Sequence, residues 1–107
     1  MTSMSSPDVQ SRVGAIRWYH TIDLGGGIVT PGVDDSPVRL ARAQLPESLR
    51  GLTVLDIGAW DGFFSFECER RGAKRVLAID TYSWDTYGKD GFLLAHEMLK
   101  SKVEHQR

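Results

Sequence analysis

A short apolar run, a loop bracketed by glycines, an apolar-faced segment and a second apolar run that closes on an acid follow one another over residues 53–80, and few folds accept that order. Thr53-Val54-Leu55-Asp56-Ile57 reads as a strand, and its nearly continuous apolar character suits a central strand buried on both faces by helices. Asp56 interrupts it near the carboxyl end, where side chains of a parallel sheet point toward a ligand crevice. Gly58 and Gly62 flank a tight loop, as expected where φ is positive or the backbone must approach a ligand. Taken alone, these two glycines equally describe a plain strand-to-helix turn. Arg75 to Ile79 forms the second apolar run, and Asp80 ends it on the same sheet edge as the glycine loop. An acid there, about twenty residues past the loop, can accept hydrogen bonds from both hydroxyls of a cofactor ribose. Adding Asp80 favours a nucleotide-type cofactor site over a turn.

The segment between the runs predicts a helix from about Phe63 to Arg71. Asp61 sits at the expected N-cap, and capping is preferred over ligand contact for it. Phe63, Phe64, Phe66 and Cys68 make a wide apolar arc, with Ser65 and Glu69 opposite. Glu67 stands four residues before Arg71, the spacing of a helix-surface ion pair. Gly72 follows as a helix-ending glycine. Cys68 among phenylalanines reads as a small buried residue; as the single cysteine it allows no internal disulfide, consistent with a reducing cytosol.

A dinucleotide fingerprint is G-x-G-x-x-G, whereas this loop is D-x-G-x-x-x-G with Trp60 where a middle glycine would sit. A pyrophosphate needs close backbone approach there, which Trp60 hinders. The segment Asp56-Ile57-Gly58-Ala59-Trp60-Asp61-Gly62 resembles motif I of the class I S-adenosylmethionine-dependent methyltransferases, departing from its commonest form at Trp60. Upstream, Arg17-Trp18-Tyr19-His20-Thr21-Ile22-Asp23-Leu24-Gly25-Gly26-Gly27-Ile28-Val29-Thr30-Pro31-Gly32 is similar to the leader of a group related to the tRNA wobble-uridine (5-hydroxyuridine or carboxymethoxyuridine) methyltransferases. That resemblance extends over about residues 15 to 104 and implies a "leucine-proline" helix at Leu45-Pro46-Glu47-Ser48-Leu49-Arg50-Gly51. It also implies S-adenosylmethionine as cofactor, cofactor-binding roles for Asp56, Gly58, Ala59, Gly62, Asp80 and Tyr82, and a tRNA or small-molecule methyl acceptor. No catalytic residue is assigned.

Read from the residues alone, the leader predicts a hairpin: Tyr19 to Leu24 alternates, Gly25-Gly26-Gly27 turns, and Ile28-Val29-Thr30 returns. Trp18 is expected to pack on the core. His20 either joins a lid over the cofactor or is simply partnered. After Asp80, the residues 81–88 read as a loop rich in aromatics, in which Tyr82 and Trp84 either stack on a purine or seal the sheet edge. A helix from Asp90 to Lys100 follows, with Asp90 as cap and His96, Glu97 and Lys100 on its outer side, and Val103 can begin a third strand.

With 107 residues, 41% of them hydrophobic, the chain supports one small domain, and a formal net charge of −1 offers no general nucleic-acid surface. No metal-ligand spacing and no membrane-spanning run occurs. Residues 1–14 are expected to be a disordered tail, with 15–107 the amino-terminal part of a methyltransferase domain that stops at about the third strand. The expected fold is α/β: a partial Rossmann-like, doubly wound parallel sheet preceded by an amino-terminal helix and hairpin. Its unpaired edges invite self-association or a completing partner chain, and the chain alone is expected to be inactive. Two alternatives are a non-catalytic remnant serving as an interaction module and an NAD-binding fragment.

Overall fold

The computed structural model describes residues 6–107. Its centre is a three-stranded parallel sheet of β3 (Thr53–Ile57), β4 (Arg75–Ile79) and β5 (Glu104–Gln106), in the order β3-β4-β5. Val54 pairs with Val76 and Ile57 with Ile79, so the first two strands end level. Helix α3 (Phe63–Arg70) links β3 to β4, while α4 (Tyr82–Tyr87) and α5 (Asp90–Met98) link β4 to β5. The strands advance in one direction, and parallel crossovers are right-handed, so α3 and α5 cover the same face. Phe66 and Phe92 accordingly meet across that face with ring centroids 5.4 Å apart.

This one-sided cover corrects the expectation for the first strand. β4 is the central strand, and its Val76 and Ala78 are buried under the helices. β3 is an edge strand among the described residues, and its alternate side chains Leu55 and Ile57 point to the uncovered face at 55% and 74% exposure. The apolar run is genuine, but among the described residues no element covers its second face.

The polar start departs from the expected tail. Residues from Ser6 to Gly14 form α1 (Ser6–Gly14), while residues 1–5 lie outside the described residues. Two apolar residues four apart, Val9 and Val13, suffice to dock it: both are buried, and Arg12 pairs with Glu97 of α5 at 2.9 Å. Packing rather than propensity holds a helix this short. Trp18 extends the contact, buried with its Nε1–H donating to the Val13 carbonyl at 3.0 Å.

The hairpin forms as expected, shorter in its strands: β1 (Asp23–Gly25) pairs antiparallel with β2 (Ile28–Val29) across a turn in which Gly25, Gly26 and Gly27 all have positive φ. The expected helix at Leu45–Gly51 does not. The helix lies earlier, as α2 (Ser36–Ala43), with Pro37 in its first turn and Gln44 leaving it at a φ of 54°. Pro46 disfavours helical geometry at Leu45, and the segment runs as an irregular connection instead. Arg71 pins it, donating from Nη1 to the carbonyls of Leu45 and Pro46 at 2.9 Å each, while Leu49 is buried.

Candidate functional site

The loop between β3 and α3 is tied to the end of β4 by its own backbone. The amides of Gly58 and Ala59 both donate to the Ile79 carbonyl, at 2.8 and 3.0 Å. Gly58 has a φ of 74° with open space where a Cβ would be, at the mouth of the crevice. Gly62 has a φ of 92°, and a Cβ there would lie 2.7 Å from Phe66 and 2.8 Å from Phe92. Thus Gly58 is free toward a ligand, whereas Gly62 is required by conformation and by the packing of α3 on α5. Ala59 is buried beneath the loop.

Asp80 stands at the end of β4 as expected, 6% exposed, but it is already engaged. Its Oδ2 accepts from the Trp60 amide at 2.9 Å, and its Oδ1 from the Ser83 and Trp84 amides at 2.8 and 3.2 Å. The acid therefore fixes the glycine loop and starts the helix that replaces the expected aromatic loop, α4. Within α4, Trp84 is buried, packs on Phe92 and donates from Nε1 to the Trp60 carbonyl at 2.6 Å. It seals the core and is not available to stack on a purine. Tyr82 remains 71% exposed beside Asp80.

Asp61 does not cap α3. The N-cap position is Gly62, with no side-chain capping bond. Instead the Asp61 carboxylate, 2% exposed, accepts from the backbone amides of Tyr19 and His20 at 2.7 and 2.9 Å. This ties the leader across the glycine loop. Burial raises the Asp61 carboxyl above its usual range, opposed by those two bonds. Asp56 is also raised by burial, and Ser65 donates to it at 2.7 Å. Ser65 is therefore a fully buried partner of the strand acid rather than an outward-facing residue. His96, expected on the outer side of α5, turns inward, its Nε2 2.8 Å from the Val103 carbonyl. The Glu67 ion pair forms with both Arg70 and Arg71.

Trp60 takes a φ of 50°, a left-handed conformation that costs a non-glycine residue about 1–2 kcal/mol. Its indole stacks on Tyr19 at 4.1 Å and 3° and on Tyr87 at 5.1 Å and 15°. The leader, the loop and α4 thus meet in one aromatic stack.

Two hollows open on either side of Ile57 and Gly58. The first, of about 280 Å³, is lined by Tyr19, His20, Arg39, Asp56, Trp60 and Phe64 among others. The second, of about 500 Å³, lies between Gly58 and Ile79, Asp80, Tyr82 and Gln106. His20, 5% exposed, lines the first hollow; its Nδ1 is buried without a partner, and burial pushes its pKa down to about 4. Arg39 donates to Asp34 at 3.2 Å and to the Tyr19 hydroxyl at 3.3 Å, and it stands over the Phe64 ring.

Of the six residues expected to bind a cofactor, Asp56, Gly58, Asp80 and Tyr82 line one or both hollows, Ala59 lies at the first, and Gly62 supports the loop from behind. Sequence reasoning missed Arg39, which lies on a helix it did not anticipate, and the Asp61 tie, which joins residues about forty apart. Among the described residues no group of three or more His, Cys, Asp or Glu side chains could hold a metal ion, and no helix is long and apolar enough to cross a membrane. No family model matches the chain.

Proposed function

We propose that the chain carries the cofactor site of an S-adenosylmethionine-dependent methyltransferase. The observation that carries this reading is the pair of hollows meeting at Gly58, one lined by Asp80 and Tyr82 and the other by Arg39 and Asp56. The residues fit the cofactor. A free Gly58 leaves its backbone approachable, and Ile57 and Ile79 give the second hollow an apolar floor beside an exposed tyrosine ring suited to a purine. A cation and an acid in the first hollow match the zwitterionic end of an amino acid. The cofactor supplies an activated methyl group when bound.

The chain's own part is positioning, the main need of an in-line displacement. Asp80 has three of roughly four lone-pair sites occupied by backbone amides, leaving about one for a ribose hydroxyl rather than the two expected. Asp61 holds Tyr19 and His20 over the loop, where both line the first hollow. The order β3-β4-β5, with the crevice at the carboxyl end of β3, matches one half of a doubly wound Rossmann-like sheet. The acceptor would be a tRNA wobble uridine or a small molecule, and a cytoplasmic setting agrees with the buried free thiol of Cys68.

A second reading, a non-catalytic interaction module on this framework, draws on the internal engagement of Asp80 and on the uncovered face at Leu55 and Ile57. Calorimetric titration separates the readings. S-adenosylhomocysteine binding at least about tenfold tighter than NAD supports the methyltransferase site. Tighter NAD binding, or saturable binding of neither, contradicts it.

A further inference from the structure

Trp60 combines three properties that side chains rarely share. Its backbone is left-handed, the conformation a glycine adopts freely. Its side chain is held by stacking on Tyr19 and on Tyr87, from two different elements. Its own amide and carbonyl are both spoken for, the amide by Asp80 at 2.9 Å and the carbonyl by the Trp84 indole at 2.6 Å. Backbone strain of this kind persists where the surroundings over-determine it, and it tends to accompany function. A simple turn would be served better by glycine.

We propose that Trp60 determines which class of cofactor the loop accepts: its clamped indole occupies the approach to the glycine loop, so that a nucleoside without a pyrophosphate enters while a dinucleotide is refused. This rests on the reading of the crevice as a nucleoside-cofactor site. The middle glycine of a dinucleotide loop exists so that pyrophosphate can approach the backbone. Here the backbone at that position already has glycine-like geometry, with its amide held by Asp80, and the indole is the part of the obstacle that a substitution removes. The indole cannot swing aside as a free surface tryptophan would, because Tyr19 is anchored through its amide to Asp61 at 2.7 Å and Tyr87 sits in α4, whose start Asp80 fixes. A rejection built into a fixed obstacle is specificity by exclusion, separate from any contact that favours the right ligand.

The consequence is a switch by one substitution. Trp60→Gly keeps the left-handed turn and opens the loop, and Trp60→Asn, a residue that tolerates the same φ, is the second variant. Titration of the full chain and both variants uses adenosine, which lacks a pyrophosphate, ADP-ribose, which has one, and S-adenosylhomocysteine. The ratio of ADP-ribose to adenosine affinity should rise about tenfold or more in both variants, with S-adenosylhomocysteine binding by the unaltered chain as the check on the site itself. S-adenosylhomocysteine binding by the unaltered chain with no rise in that ratio overturns the role of Trp60 and leaves the site reading standing. Absence of S-adenosylhomocysteine and adenosine binding in the unaltered chain removes the site reading, and this inference with it.

Discussion

Asp80 is a structural carboxylate at the mouth of the proposed site. Its position at a strand end suggests that Asp80→Ala should alter binding and spare stability. The three amides it accepts argue otherwise, since the substitution strands them in a largely buried corner. We expect a loss of about 3 kcal/mol in urea-induced unfolding, together with weaker cofactor binding. Unchanged stability would mean that water replaces the carboxylate without cost. His20 makes a second prediction. Its pKa falls from 6.5 unfolded to about 4 folded, chiefly through burial, with Asp34 opposing and Arg39 reinforcing the shift. The unfolded chain therefore binds the proton more readily, so this stability is present above about pH 6.5 and drains away as pH falls toward about 4. Across that window the loss is about 3 kcal/mol. Asp56 and Asp61 act in the opposite sense, because their raised pKa values make stability fall as pH rises through their range. They are common to both proteins when the comparison is with His20→Gln, whose pH dependence should lack the His20 component. Parallel stability curves for the two proteins between about pH 7 and about pH 4 would contradict a buried neutral imidazole.

The elements that periodicity marks strongly were legible in the sequence, and those that depend on distant partners were not. β3, α3, β4 and α5 stand within a residue or two of their expected spans because each has a dense apolar run and a glycine or acid at its end. α1 was invisible because, among its described side chains, Val9 and Val13 are the ones buried in the core, a pattern too sparse to outweigh their polar neighbours. α4 was hidden because its first-turn amides, those of Ser83 and Trp84, are held by Asp80 just before the N-cap Thr81, and Asp80 was read as a ligand acid rather than a helix start. The leader's attachment to Asp61 leaves no local signal at all, since backbone amides do the donating. β3 was read as a central strand buried on both faces, and that reading fails: Leu55 and Ile57 are exposed because α3 and α5 take the same face. That exposure carries its own prediction. An apolar edge strand with free backbone groups pairs readily with another chain. Light scattering should give a mass that rises with concentration, and Leu55→Lys together with Ile57→Lys should return it toward the monomer. A concentration-independent monomer for the unaltered chain would contradict association through this face.

As a whole, the molecule joins a leader, a glycine loop and a strand-end acid into one crevice by means of two buried carboxylates. Asp61 pulls the leader down, Asp80 holds the loop and α4, and the Tyr19–Trp60–Tyr87 stack closes the gap between them. The candidate site was legible as a motif, but its division into two hollows was not, because that division depends on His20 arriving from the leader and Arg39 from α2. The account stands on that crevice holding S-adenosylmethionine. Titration of the isotopically labelled chain with S-adenosylhomocysteine, followed by backbone amide resonances, tests it most directly. Saturable shifts at Gly58, Trp60, Thr81 and Tyr82, with the amides of α1 silent, are the predicted result. Shifts that fail to saturate, or that gather away from the crevice, would contradict it.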